Sequence, residues 1–204
     1  MNLYIERRGL LLVISAPSGG GKSVVTRRLR EFQPELEYSV SVTSRPPRGD
    51  ERDGIDYRFV TRQQFEQMIE QHGFYEWAEV HGNLYGTLAD TVDQALAAGR
   101  DVVMDIDVQG ARRVKQRCPD AVTVFLAPPS MKELEHRLRD RATDSDQQVR
   151  LRLRNARREM ADARHYDYLV VNHVLEKTVQ TLGHILQAER QRTFRLKIRP
   201  EKGE

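Results

Sequence analysis

The sequence predicts an α/β fold with a central parallel sheet flanked by helices, on three observations. Apolar runs of strand length alternate with segments of helical period along most of the chain. The first run leads through a glycine-rich turn into a helix, the context of a phosphate-binding loop. Two interruptions break the alternation, a Pro46-Pro47 loop and a polar stretch at 142–146, which predict an inserted mixed α/β lobe and a helical lid. The expected division is a core of 1–39, 91–130 and 163–204, a lobe of 40–90 and a lid of 131–162.

Leu10 to Ser15 reads as a strand buried on both faces. In Ala16-Pro17-Ser18-Gly19-Gly20-Gly21-Lys22-Ser23, consecutive glycines let backbone N–H groups converge on phosphate oxygens without side chains in the way. A helix from Val24 to Phe32 follows, with Val25, Leu29 and Phe32 on one face, and its N-terminus favours negative charge. Lys22 would reach the outer phosphates of a nucleoside triphosphate and the Ser23 hydroxyl would help hold Mg²⁺, which assigns the fold to the P-loop NTPases. Ala16 stands where this motif usually has glycine. It closes the strand rather than curling round phosphate, so a negative φ suffices.

Tyr38 to Thr43 alternates as one strand until Ser44-Arg45-Pro46-Pro47-Arg48 stops it. Tyr57–Val60 and Phe74–Val80 read as strands, and Thr61 with Gln64 forms a capping box for a helix through Gln71. There follow a helix from Leu88 to Ala98, a strand Val102–Asp105, a helix Val108–Arg117, a strand Val122–Leu126, and a helix capped by Ser130 running to Asp140. Beyond the polar break lies a helix with the stripe Val149, Leu153, Ala156 and Met160. Tyr168–Val171 reads as a last buried strand and Glu176–Gln191 as a last helix. The basic tail from Arg190 to Lys202 reads as solvated and mobile beyond Phe194.

The 204 residues suit one compact domain with inserted lobes. No apolar run has bilayer length and the N-terminus lacks a signal-peptide core, so a cytoplasmic protein with no membrane partner is expected. The single Cys118 excludes an internal disulfide. A net charge of +3 is spread over several segments, which disfavours a nucleic-acid partner and suits a polyphosphate ligand. The oligomeric state stays open.

Asp105 and Asp107 end a central strand at the carboxyl edge, where ligands bind in open parallel sheets, and Asp105 there would hold Mg²⁺ through its waters. Asp107-Val108-Gln109-Gly110 also fits the Asp-x-x-Gly of GTP-hydrolysing switches, but the chain has no Asn-Lys-x-Asp base-reading motif. It has instead two groups of arginines, Arg45 and Arg48 on the proline loop and Arg137, Arg141 and Arg152 around the polar break. Transfer between two nucleotides must neutralise two sets of phosphates, and guanidinium forks do so bidentately. Tyr57 and Tyr85 can add hydroxyl donors.

These residues together resemble guanylate kinases of the bacterial type from about Leu11 to about Gln191. The resemblance is carried by Ala16–Ser23, Ser41 to Arg48, Gly54-Ile55-Asp56-Tyr57, Glu76-Trp77-Ala78, Gly82 to Thr87, Asp105 to Gly110 and Pro128-Pro129-Ser130. It implies transfer of the γ-phosphoryl group of ATP to GMP, with dGMP not excluded. By that resemblance Arg45, Arg48, Tyr57 and Tyr85 hold the GMP phosphate, while Ser41, Glu76, Thr87 and Asp107 surround guanine. A carboxylate at 76 matches the adjacent N1–H and N2–H₂ donors of guanine and rejects adenine. Lys22, Arg45, Arg137, Arg141 and Arg152 would surround the transferring group, and Asn172 matches a position near the adenine of ATP. His173 and Ala142 depart from the family, which commonly has aspartate and glycine there. A non-catalytic binding module of the same fold remains the alternative at this point.

Overall fold

The computed structural model describes residues 3–80, 82–140 and 145–200. In chain order its strands are β1 (Leu3–Arg7), β2 (Leu11–Ser15), β3 (Glu37–Tyr38), β4 (Val42–Thr43), β5 (Arg58–Phe59), β6 (Phe74–Val80), β7 (Asn83–Leu88), β8 (Val102–Asp105), β9 (Val122–Ala127), β10 (Tyr168–Val171) and β11 (Leu196–Pro200). The helices are α1 (Lys22–Phe32), α2 (Arg62–Glu70), α3 (Ala89–Ala97), α4 (Val108–Arg117), α5 (Met131–Arg139), α6 (Asp146–Ala161) and α7 (Leu175–Arg190).

The central sheet is parallel throughout, in the order β10-β9-β2-β8-β3. Its middle strand shows why a continuous apolar run was needed. Leu12 and Ile14 face a core with Val25 and Leu29 of α1 and Leu182 and Leu186 of α7. Leu11 and Val13 face the other way, against Val92 and Leu96 of α3 and Val114 of α4. Successive strand side chains point to opposite faces, so covering both faces with helices leaves no polar position in β2 before Ser15.

A second sheet, β5-β4-β7-β6, lies wholly within 42–88. Its core is Val42, Phe65, Phe74 and Leu84, with the rings of Phe65 and Phe74 stacked at 4.4 Å. The Thr61 capping box that opens α2 is complete, its hydroxyl accepting from Gln64 N–H and the Gln64 side chain accepting from Thr61 N–H. Helices α5 and α6 share a small core of Leu134, Leu138, Val149 and Ala156.

Several expectations are corrected. The alternating run Tyr38–Thr43 is not one strand. Tyr38 ends β3 on the central sheet and Val42 begins β4 on the second, so the segment between them carries the chain from one sheet to the other. β10 is not buried: it is the outer strand of its sheet, with Leu169 and Val171 about half exposed and only Val170 covered. Phe32 is likewise exposed, at the end of α1 beside Gly183.

The basic tail also departs from a solvated reading. β11 pairs antiparallel with β1, whose strand the sequence did not reveal. Arg190 Nε donates to the buried Asp101 carboxylate at 2.7 Å, and Arg195 is buried with its guanidinium on the Asp120 carbonyl. Asp101 also accepts from Arg7 and from Leu10 N–H, so one acidic side chain ties the start of the chain, the tail and the sheet together.

Candidate active site

The carboxyl ends of β2, β8 and β10 converge on the glycine-rich loop. Gly19 and Gly21 adopt φ of +87° and +86°, a left-handed backbone that only glycine takes without strain. Ala16 has no such requirement, and its φ is negative, as expected of a residue that closes the strand. Residues 16–24 line a concavity at the start of α1. Lys22, the first residue of that helix, lies close enough to Glu76 and Glu159 to favour the ionised form of both.

Beside the loop, Ser23 Oγ donates to Asp105 Oδ2 at 3.0 Å, and Tyr38 O–H donates to Asp105 Oδ1 at 2.7 Å. Burial pushes the Tyr38 hydroxyl pKa up, and the neighbouring Asp105 charge adds to it, so Tyr38 stays a proton donor to the carboxylate. A hydroxyl and a carboxylate in contact are hard oxygen donors of the type Mg²⁺ takes alongside nucleotide phosphates. Among the described residues no cluster of three or more histidine, cysteine or acidic side chains offers a self-sufficient metal cage.

Asn172, immediately after β10, is buried and engaged with the loop itself. Its Nδ2 donates to the Gly20 carbonyl at 2.9 Å, and its Oδ1 accepts from Thr178 Oγ1 at 3.1 Å. The sequence expectation placed this residue near adenine; the structure gives it the backbone of the phosphate-binding loop as its partner. His173 is exposed.

On the second sheet the pleat sorts β7. Leu84 and Gly86 face the small core against Phe74, whereas Tyr85 and Thr87 face the other side. Thr87, fully buried, donates to Glu76 Oε1 at 2.9 Å from the paired position on β6. Burial raises the Glu76 carboxyl to about 6, opposed by the Thr87 hydrogen bond and reinforced by the nearby Asp107 charge. Asp107 caps α4, accepting from Gly110 N–H at 2.7 Å, and a Cβ at Gly110 would lie 3.1 Å from Glu76 Oε2. Glu76, Thr87 and Asp107 are therefore one group of neighbours. Ser41 lies in the segment crossing between the sheets, its carbonyl accepting from Arg58 N–H.

Two positions along β7, Tyr85 stands edge-on to Tyr57, with ring centroids 6.0 Å apart. The buried Arg45 guanidinium lies over the Tyr57 ring at 4.8 Å. Its two terminal nitrogens donate to the two Glu51 oxygens at 2.6 and 2.8 Å, and the Arg48 amide donates to the same carboxylate at 2.9 Å. Those hydrogen bonds hold the Glu51 carboxyl down at about 2. The sequence reading missed Glu51, although it sits on the same loop six residues after Arg45.

From α5, Arg137 donates to Glu133 and to the Asn172 carbonyl at 3.1 Å, and from α6 Arg152 Nε donates to Ser18 Oγ at 2.9 Å. Arg150 and Arg154 are exposed on α6. Arg141, together with Ala142, lies outside the described residues. A second missed residue is Glu159, which accepts from the Ser18 amide at 3.1 Å. Its seven-residue spacing from Arg152 on one helix was the available signal.

The chain is similar to known proteins over nearly its whole length. The family model "Guanylate kinase" matches residues 8–189. The guanylate kinase of Anaeromyxobacter dehalogenans is 53% identical over 90% of this chain and 82% of its own length. That of Syntrophotalea carbinolica is 47% identical over 98% of this chain and 94% of its own length. The crystal structure of guanylate kinase from Anaplasma phagocytophilum superposes with a TM-score of 0.77 at 34% identity, covering 95% of this chain and 92% of that one.

Proposed function

Because the chain belongs to the guanylate kinase family and is an ATP:GMP phosphotransferase, we propose that the phosphate-binding loop holds ATP while the second sheet holds GMP. The alternative of a non-catalytic module is set aside by relatives that are guanylate kinases over nearly their whole length.

The observation that carries the assignment is the order of groups on β7. Thr87 holds the Glu76 carboxylate, and Tyr85, two residues away, belongs to the Arg45 and Tyr57 cluster. Two strand residues span about 7 Å, a distance on the scale of the one separating a base edge from its phosphate in a nucleotide. Guanine would place N1–H and N2–H₂ on Glu76 with Asp107 and Ser41 nearby. The GMP phosphate would lie on Arg45, Arg48, Tyr57 and Tyr85. Glu51 already presents an oxyanion to the Arg45 fork, the same bidentate geometry that a phosphate uses.

On the donor side the loop amides and Lys22 would cradle the ATP phosphates, and Ser23 with Asp105 would hold Mg²⁺, which supplies charge neutralisation on the phosphate oxygens. Arg137, Arg141 and Arg152 would close over the transferring group and exclude water, a competing acceptor. The GMP phosphate is already anionic, so no general base is required. Division into a core, a GMP lobe at 40–90 and a lid at 131–162 follows the same assignment.

A coupled assay offering GMP, AMP, CMP and UMP separately tests it. Turnover confined to GMP and dGMP is expected, and equal turnover of all four would overturn the role of Glu76.

A further inference from the structure

One residue of the phosphate-binding loop is held from two sides by a single helix. Arg152 Nε donates to Ser18 Oγ at 2.9 Å, and Ser18 N–H donates to Glu159 Oε2 at 3.1 Å. Seven positions are close to two helical turns, so both side chains leave the same face of α6. Glu159 is partly buried at this contact, and Lys22 is within electrostatic reach of it.

Loop amides of this kind favour an oxyanion, and here the oxyanion on Ser18 is the protein's own. A terminal phosphate brought in beside Lys22 carries more charge and more oxygens than a carboxylate. It would also meet Glu159 as a like charge at close range, so the two anions cannot be held there together without cost.

We propose that Glu159 is an internal occupant of the phosphate-binding loop which the γ-phosphate of ATP displaces from Ser18, freeing α6 to carry Arg152 from the Ser18 hydroxyl to the transferring phosphoryl group. This rests on the loop being the ATP site. Glu159 is then a positioning residue that acts through Arg152 and distinguishes a triphosphate from a diphosphate. ADP, lacking the third phosphate, leaves Glu159 on Ser18.

The test is calorimetric binding, without GMP, of the Mg²⁺ complexes of ADP and of a β,γ-imido analogue of ATP. Glu159→Gln removes the charge, and Glu159→Asp keeps it but shortens the reach, so either variant that folds can decide the matter. Both should bind the triphosphate analogue about 3- to 10-fold more tightly than the wild type, with ADP affinity changed less than about 2-fold. Unchanged or weaker binding of the analogue, or equal tightening of ADP, overturns the proposal. Lys22→Ala separates the premises. If it leaves binding of the analogue to the otherwise wild-type chain intact, the ATP-site reading fails too. If that binding is lost while both Glu159 variants match the wild type, only the role of Glu159 fails.

Discussion

Asn172 Nδ2 donates to the Gly20 carbonyl across 2.9 Å, joining the end of the outermost strand of the central sheet to the apex of the phosphate-binding loop. Thr178 of α7 fixes the amide from its other end by donating to Oδ1. The loop is therefore shaped from outside as well as by its own glycines, and a side chain at Gly21 would come within 2.8 Å of Asn172 Nδ2.

Asn172→Ala should accordingly act on the donor half alone. Truncation leaves the Gly20 carbonyl without its buried donor and opens a small cavity, a loss of about 1–3 kcal/mol in urea unfolding. The KM for ATP should rise several-fold while that for GMP changes less than about 2-fold, because the side chain of Asn172 is bonded to Gly20 of the loop and Thr178 of α7, both away from the second sheet. A GMP defect instead would show that Asn172 does not act through the loop.

Glu76→Gln should separate stability from function. The Glu76 carboxyl is raised to about 6, so its ionised form is disfavoured in the folded protein, a contribution to stability that is present at acid pH and lost as pH rises through 6. A neutral glutamine can keep the Thr87 hydrogen bond without that burden. The ligand-free variant should be more stable than wild type by about 1–2 kcal/mol at pH 8, with the advantage vanishing near pH 4. Its kcat/KM for GMP should nevertheless fall about 100-fold or more, since an amide accepts from one guanine donor and opposes the other. Denaturation at the two pH values and steady-state kinetics check both halves.

The same raised value sets a pH dependence. On the proposed role of Glu76, recognition of the guanine donors needs the carboxylate, so kcat/KM for GMP should decline as pH drops below about 6. The GMP phosphate titrates in the same region, and Glu76→Gln provides the baseline for that contribution. If wild type and variant show the same profile, Glu76 is not the group responsible.

Legibility in the sequence followed the physics of each element. β2 was readable because a strand covered on both faces must be apolar throughout, and the glycine-rich loop because its backbone excludes side chains. The crossing at 39–41 was not, since residues leaving one sheet for another keep the alternation that either sheet would impose. β1 and β11 were hidden because a two-stranded ribbon carries little apolar periodicity, with Ile5 and Ile198 paired yet about half exposed. Within the site, the residues proposed to face a ligand stand out in the sequence by type. Their supports, Glu51, Glu159 and Tyr38, were not, because a carboxylate or tyrosine that holds another side chain looks in sequence like any surface residue.

Arg45→Lys tests whether the acceptor site depends on a fork rather than on charge. The guanidinium is buried, spans both oxygens of Glu51 and lies over the Tyr57 ring. An ammonium keeps the positive charge, but as a point donor it cannot bridge two oxygens in one plane as the guanidinium fork does. Removing one of two parallel charge-assisted bonds corresponds to about 1.5–3 kcal/mol, or about 10- to 100-fold in the KM for GMP. The ATP affinity in the absence of GMP should be unchanged, because Arg45 has no partner on the loop among the described residues. Glu51 should lose its strong acidity at the same time, so the carboxyl titration, followed by NMR in both proteins, should move up from about 2 toward its ordinary range. A lysine variant with wild-type KM for GMP would mean that the phosphate is held by charge alone, and that the pairing of Arg45 with Glu51 is structural.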